Sequence, residues 1–458
     1  YYIIKIGETM NYNILRENDI RGTYPQDINK EIAIRVGKAY GTYLKSHEED
    51  SCIIGHDNRL SSEELNSGLI EGLLSTGINI TDIGLVTTPM LNYACITRKE
   101  QNGIMITASH NPKEDNGFKI FGKDYLHLRR EHLEEIYNLV KTEEFTSGSG
   151  TIKEDNIKEE YLNMLLDKFP KINQKVVVDC GNGTASIIVK KLYSKLFKEV
   201  TFLNCDSDGS FPIHNPDPND ENNLKWLKSV VRTRNFDLGI GIDGDADRVG
   251  IVTNTGTTIG TDLLIGIFAR EIIPNTDKKK VTLDVKCSCA LEEDLKKIGA
   301  VPLMVKNGSA YIESVTHDED ALVGGEFSGH IFFRDKYYGY DDGLYAGLRT
   351  AELLMNKGIK ADNLLDGFTK YVSTPEIRLN APDNKKREIV EKVKKYALDK
   401  NYNCNTSDGV RVNYTDGFAL VRCSNTGPMI TLRFEAKDKK TLESRQKEYM
   451  DIIEKELK

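Results

Sequence analysis

What this chain lacks narrows its function first. Lys and Arg number 62 against 70 Asp and Glu, a net charge of −8, so there is no cationic excess to neutralise a polyphosphate backbone. That argues against broad nucleic-acid binding and leaves room only for local positive sites. No uninterrupted apolar run reaches membrane-spanning length; the richest, 263–273, is short and broken by Arg270 and Glu271. No membrane partner is expected. The opening YYIIKIGET, before Met10, lacks the cationic start and long apolar centre of a secretion signal, and Met10 is the expected natural start. The eight cysteines form no CxxC pair, and no histidine stands at zinc-finger spacing. They read as reduced thiols of a cytoplasmic protein.

What is present is an ordinary globular composition, 39% hydrophobic and 29% charged. A chain of 458 residues is too long for one hydrophobic core and should divide into three or four domains. Short β-branched runs (52–55, 103–107, 176–179, 281–285, 321–325) alternate with helical periodicity such as Ile32, Val36, Tyr40 and Leu44. That alternation predicts α/β layers with parallel or mixed sheets. Polar, small-residue stretches at 145–156 and 373–384 read as boundaries, and a turn signal at 254–256 suggests a third. The expected domains are 1–150, 151–254, 255–372 and 373–458.

The segment GIGIDGDADRVG (239–250) ends an apolar run in Asp243, Asp245 and Asp247, followed by Arg248. Alternate residues of an extended chain point the same way, so three carboxylates can converge on one cation. Mg²⁺ suits them, because it takes hard oxygen ligands and leaves positions for water or phosphate. A helix-flanked calcium loop fails: Arg248 stands where it needs glycine, and Asn254 where it needs a bidentate glutamate.

TASHNP (107–112) follows the strand-like GIMI and places Ser109 at the end of a sheet, where α/β proteins build sites. Ser109 is a candidate nucleophile or phosphoryl carrier, with a turn serine as the plain alternative. His110 is expected to orient the loop. Lys119 follows ten residues later and is a candidate cation or general acid/base. GFKIFGKD (117–124) almost matches a phosphate-binding P-loop but ends in Asp124, so the metal-binding hydroxyl is missing and that reading is rejected.

GGEFSGH (324–330) offers Glu326 and Ser328 as outward hydrogen-bonding groups suited to vicinal sugar hydroxyls, with His330 able to titrate. RCSNTGP (422–428) brings Arg422 with Ser424, Asn425 and Thr426 on a turn able to grip phosphate. GNGTAS (181–186) has Ser186 where a dinucleotide fingerprint has its third glycine, and reads as a strand-to-helix turn.

In this order the four segments TASHNP, DGDADR, GEFSGH and RCSNTGP resemble the phosphoserine, metal, sugar and phosphate loops of the α-D-phosphohexomutases, specifically their phosphomannomutase/phosphoglucomutase branch. NDIRG (18–22), GHDNRLSS (55–62), DCGNG (179–183), DVKCS (284–288) and YDDGLYAGLR (340–349) also fit. The resemblance implies four domains around a central cleft: three similar α/β mixed-sheet domains and a smaller C-terminal α+β domain. They would be a phosphoserine domain, a metal-binding domain, a sugar-binding domain and a phosphate-binding domain.

It further implies interconversion of hexose 1- and 6-phosphates through phosphorylated Ser109 and a hexose 1,6-bisphosphate, which also serves as activator. Mg²⁺ would sit on Asp243, Asp245 and Asp247 with Ser109. Arg21, Lys119, Arg248 and Lys286 match the family's cationic positions, and Lys119 and His330 are the acid/base candidates. Glu326 and Ser328 would hold O3 and O4, which favours use of both mannose and glucose. Small sugar phosphates are the expected partners, and a monomer or weak homodimer the expected state.

Departures are Asn18, where the branch commonly has tyrosine, and Ser309 and Glu313 in KNGSAYIES (306–314), which replace a histidine and a lysine. Asn18 and Ser309 motivate a competing reading, a catalytically weak sugar-phosphate sensor or scaffold, while Glu313 suggests altered phosphate handling; a phosphoglucosamine mutase is a further alternative.

Overall fold

The computed structural model describes residues 10–424 and 427–457. Two compact bodies emerge. The first runs to Leu227 and takes in Gly241–Asp247; the second comprises Lys228–Ile240 and the chain from Arg248 onward.

In the first body a six-stranded sheet has the order Ile20–Thr23, Asp115–Phe121, Gly103–Ile106, Ser51–His56, Asn79–Leu85, Ile152–Glu154. The first three strands pair antiparallel and the rest parallel. The stretch 145–156, expected to be a linker, thus supplies an edge strand.

The helix Lys30–Ser46 starts because the Asn29 side chain accepts the Ile32 N–H at 3.1 Å. Its apolar repeat buries Val36, Tyr40 and Leu44 as the spacing predicts. It packs on Ser62–Ser75 backbone to backbone: a Cβ on Gly37 would lie 2.5 Å from the Leu69 carbonyl oxygen, and one on Gly72 2.2 Å from that of Ile34. These helices, the sheet and the helix Arg130–Thr142 enclose one continuous apolar core. The same body contains the parallel pair Ile172–Asp179 and Phe197–Leu203.

In the second body the turn at 254–256 is the tip of a hairpin between Val249–Thr253 and Thr258–Ile259. A four-stranded sheet follows in the order Val301–Val305, Lys280–Asp284, Val323–Gly325, Ile331–Phe333, parallel except for its last pair. The C-terminal sheet is antiparallel, with Met429–Ala436 and Gly417–Cys423 at its centre, and the helices Asp383–Asp399 and Lys439–Leu457 pack on it. Its core is separate, built on residues such as Val393, Val412, Leu432, Phe434 and Tyr449. The expected mixture of three α/β layers and a smaller α+β domain is what these sheets present.

Candidate active site

The strands Gly103–Ile106 and Asp115–Phe121 form an antiparallel pair in which Met105 faces Lys119, so the loop carrying Ser109 and the lysine beyond it return to one end of the sheet. Ser109 is fully buried, and its φ of 51° lies in the left-handed region that non-glycine residues seldom occupy. Local strain of this kind gathers at functional sites.

The loop is held by groups the sequence left without a role. The buried Arg59 guanidinium donates to the carbonyls of Ser109 (2.8 Å), Asn111 (2.7 Å), Pro112 (2.6 Å) and Asp115 (2.9 Å). Its Nε donates to Asp57 at 3.1 Å. Thr107 Oγ1 accepts the Ser109 N–H at 2.8 Å. The usable signal for Arg59 was GHDNRLSS, where a charged pair sits inside a small-residue turn.

The acidic loop meets this serine. Ser109 Oγ donates to Asp243 Oδ2 at 2.8 Å. Gly244 permits the approach, since a Cβ there would stand 2.3 Å from the Ser109 carbonyl oxygen. Asp243, Asp245 and Asp247 are all buried, with ligand oxygens within 4.8 Å of one another. Lys119 Nζ donates to Asp245 Oδ2 at 2.6 Å and also to Asp247 Oδ2, and Thr88 Oγ1 donates to Asp245 Oδ2 at 2.7 Å.

Burial and the neighbouring Asp247 push the Asp245 pKa up, but the Lys119 ammonium and the Thr88 hydroxyl outweigh them and hold it below the usual carboxylate value. Asp245 Oδ1 is buried and takes no hydrogen bond among the described residues. Three converging hard oxygens fit a small divalent cation. Around this centre His110 Nδ1 lies 3.3 Å from Ser109 Oγ. Arg21 pairs with Asp19 at 2.6 Å and donates to Asn111 Oδ1 at 3.2 Å.

The second body gathers the remaining predicted residues. Glu326, expected to face outward, is buried instead: its Oε1 accepts the Gly308 N–H at 2.7 Å and its Oε2 the Ser328 hydroxyl at 2.7 Å. Burial raises the Glu326 pKa, but Lys286, His330, Ser328 and Arg248 more than offset that and keep it below the usual value. His330 Nδ1 stands 2.5 Å from Asp341 Oδ2, while its Nε2 lies 3.9 Å from Glu326. Asp341, at the head of DDG, was not singled out for a role from sequence.

The Lys286 ammonium lies between Asp284 (3.8 Å) and Glu376 (3.7 Å). Arg248 and His330 pair through their backbones. In the C-terminal domain Arg422 is buried and its Nε donates to Asp408 at 2.7 Å, and Asp408 also accepts the Asn307 N–H at 3.0 Å. Ser424 closes its turn by donating its N–H to Met429 O at 2.9 Å. Asn425 and Thr426 lie outside the described residues.

The four-part organisation has a counterpart in known proteins. Models of the phosphoglucomutase/phosphomannomutase alpha/beta/alpha domains I, II and III match residues 13–147, 155–256 and 261–371, and the model of that family's C-terminal domain matches 376–452. The chain belongs to this family. It is an enzyme of the phosphomannomutase/phosphoglucomutase kind, an isomerase with four domains.

A phosphomannomutase/phosphoglucomutase of Pseudomonas syringae pv. tomato is 40% identical over 431 residues, 94% of this chain and 92% of that one. A phosphoglucomutase of Neisseria meningitidis serogroup A is 36% identical over 448 residues, covering 96% of this chain and 97% of the relative. The crystal structure of a family protein from Burkholderia thailandensis superposes with a TM-score of 0.89 at 32% identity, covering 98% of both chains. No helix among the described residues is long and apolar enough to cross a membrane.

Proposed function

We propose that this enzyme interconverts the 1- and 6-phosphates of mannose and glucose through a phosphoserine at Ser109 and a hexose 1,6-bisphosphate. The observation that carries the reading is the hydrogen bond from Ser109 Oγ to Asp243 inside a buried acidic cluster already served by a cation, Lys119. Phosphoryl transfer is chiefly positioning and charge neutralisation, and both are built here. The full-length relatives named for both mannose and glucose substrates support it.

Asp243, Asp245 and Asp247, joined by the phosphoryl group on Ser109, are the residues that would hold Mg²⁺. When bound, the metal neutralises charge on the transferring group. Arg59 fixes the serine loop through its carbonyls, so Ser109 keeps its left-handed backbone. His110 and Arg21 flank the phosphoserine and steady the loop.

In the forward half-reaction the phosphorus–oxygen bond to Ser109 breaks and one forms to a sugar hydroxyl. The hydroxyl proton passes to a base, and the bisphosphate then rephosphorylates Ser109 from its other end. His330 is suited to the proton: Asp341 can take Nδ1–H, leaving the Nε2 lone pair as base. Lys119 supplies the second acid/base group beside the serine. Glu326 and Ser328 bind the sugar's O3 and O4, Arg248 and Lys286 add positive charge, and Arg422 with Ser424, Asn425 and Thr426 holds the phosphate that is not reacting.

The parts divide as residues 1–150 for the phosphoserine, 151–254 for the metal, 255–372 for the sugar and 373–458 for the distal phosphate. All of them belong to one chain, in keeping with a monomer or weak homodimer, and hexose 1,6-bisphosphate acts as activator.

The test is turnover of mannose, glucose and N-acetylglucosamine 1-phosphates side by side, with Mg²⁺ and a trace of 1,6-bisphosphate. Conversion of the first two, lost in Ser109→Ala, is expected. Full bisphosphate-dependent turnover in Ser109→Ala would refute the phosphoserine. Binding without conversion would make the protein a sensor, and preference for the amino sugar would displace the substrate assignment.

A further inference from the structure

A second cluster of metal-ligating side chains lies in the first α/β domain, among residues that no step of the proposed reaction uses. His47 caps the C-terminal end of the helix Lys30–Ser46, and His132 and Glu135 stand three residues apart on one face of Arg130–Thr142. The two helices pack together. Each of the three residues offers one ligand atom, and these atoms lie within 4.8 Å of one another.

The hydrogen bonds behind the imidazoles suit ligation. His47 Nδ1 lies 2.9 Å from the Tyr43 carbonyl oxygen, which can only accept, so Nδ1 carries the proton and donates it. That leaves Nε2 as the outward atom, 3.7 Å from a Glu135 carboxylate oxygen. The ring nitrogen and the carboxylate oxygen thus face each other across a gap that a cation can bridge.

His132 Nδ1 lies 3.1 Å from the Tyr43 hydroxyl, to which it can donate, turning its Nε2 outward as well. Fixing a histidine by donating its other ring N–H to a carbonyl or hydroxyl is how proteins orient imidazole ligands for a metal.

We infer that His47, His132 and Glu135 form a surface site for a borderline divalent transition metal such as Zn²⁺, bridging the two helices. Two imidazole nitrogens and one carboxylate oxygen are a common zinc donor set, with water completing the coordination. In a tetrahedral centre with bonds of about 2.0–2.2 Å the ligand atoms lie roughly 3.4 Å apart, so metal binding would draw them together by roughly 1 Å. The two imidazoles also separate it chemically from the all-oxygen cluster at Asp243, Asp245 and Asp247, which favours Mg²⁺.

The experiment is titration of the whole protein with Zn²⁺ alone, in millimolar Mg²⁺ so that the acidic cluster is occupied. Wild type, His47→Gln and His132→Gln are followed by calorimetry and by histidine ¹⁵N chemical shifts. One zinc equivalent per chain is expected, shifting the outward ring nitrogens of both histidines and weakening at least tenfold in each variant. Circular dichroism establishes that both variants are folded; the exposed His47 carries the test if His132→Gln is not. Absence of zinc uptake, equal uptake in the variants, or a shift at only one histidine overturns the site.

Discussion

Lys119 is the internal cation of the acidic cluster, and replacing it tests how that cluster is stabilised before any substrate is considered. Asp243, Asp245 and Asp247 are at most 1% exposed, and the Lys119 ammonium is bonded to two of them. Lys119→Met keeps the length of the stem but leaves buried carboxylates with one cation fewer. Removing one partner of a buried ion pair costs about 3–5 kcal/mol, because the other charge stays desolvated. For a body of this size, at about 2–4 °C per kcal/mol, the melting temperature of the metal-free variant should fall by roughly 6–20 °C.

Mg²⁺ changes the comparison, because a divalent ion on the same oxygens supplies the missing charge and stabilises whichever form binds it. The difference between wild type and variant should shrink to less than half its metal-free value at saturating Mg²⁺. Differential scanning calorimetry with chelator and across a Mg²⁺ series measures both quantities. A metal-free deficit below about 2 °C, or one unchanged by Mg²⁺, would refute the reasoning, since Lys119 would then not be compensating those carboxylates.

Other expectations follow from individual contacts. Gly244→Ala places a methyl group against the Ser109 carbonyl oxygen, 2.3 Å away, and should cut kcat at least tenfold with little change in far-ultraviolet circular dichroism; unchanged kcat would mean the two loops need not meet. Arg59→Lys keeps the charge but cannot serve four carbonyls and Asp57 at once, so it should lose both phosphorylation of Ser109 and about 2–4 kcal/mol of stability, read by phosphoprotein mass and denaturant unfolding. Asp341→Asn should lower kcat more than it raises KM and reshape the pH profile of turnover, because the carboxylate that faces His330 Nδ1 is gone.

His214 has its pKa raised in the folded protein: burial opposes the charge, but hydrogen bonding to Asp179 and Asn215 outweighs it. Its contribution is therefore complete below the unfolded value of about 6.5 and fades as pH rises through the higher folded value. The stability deficit of His214→Gln should be larger at pH 5.5 than at pH 8.5, and a deficit that grows with pH would contradict the sign.

Much of this was legible in the chain because the chemistry sits in short contiguous segments. Period-two and period-3.6 patterning located the strands Ser51–His56 and Gly103–Ile106 and the helix Lys30–Ser46. The aspartate alternation at 243–247 pointed to a candidate cation site rather than a solvated acidic turn, because three carboxylates stand directly behind an apolar strand, and in the structure all three are buried. What stayed hidden are the partners supplied from elsewhere in the sequence. Thr88 and Asp408 are ordinary residues in ordinary surroundings, and Asp341 lies in the family-like YDDGLYAGLR with no role assigned, until the fold brings them to Asp245, Arg422 and His330 respectively. Arg59, quoted only within GHDNRLSS, gained no role from sequence because its guanidinium donates to backbone carbonyls, which leave no signature in side-chain identity. The segment 145–156, read as a linker from its glycines and serines, lies between the first two family-domain matches and also lends 152–154 as an edge strand beside Asn79–Leu85.

Glu313 shows how far a residue-type argument reaches. In sequence it replaces a lysine of the family pattern and suggests an anion set against phosphate. In the structure it is fully buried on the helix Ser309–Asp318, which packs against the strands Val323–Gly325 and Lys280–Asp284. Its charge acts on His317, one turn along the same helix, raising that pKa against the burial that holds it low. Lys306, at the start of the same segment, lies over the Tyr311 ring at 3.4 Å. A buried carboxylate coupled to a neighbouring imidazole spends its field on the interior, where the dielectric is low, and little of it on solvent-facing phosphate. Glu313→Gln should therefore shift the His317 titration downward and cost stability while changing KM for sugar phosphates less than twofold. Proton NMR of the histidine rings together with steady-state kinetics separates this from a role in substrate binding, which would move KM and leave His317 untouched.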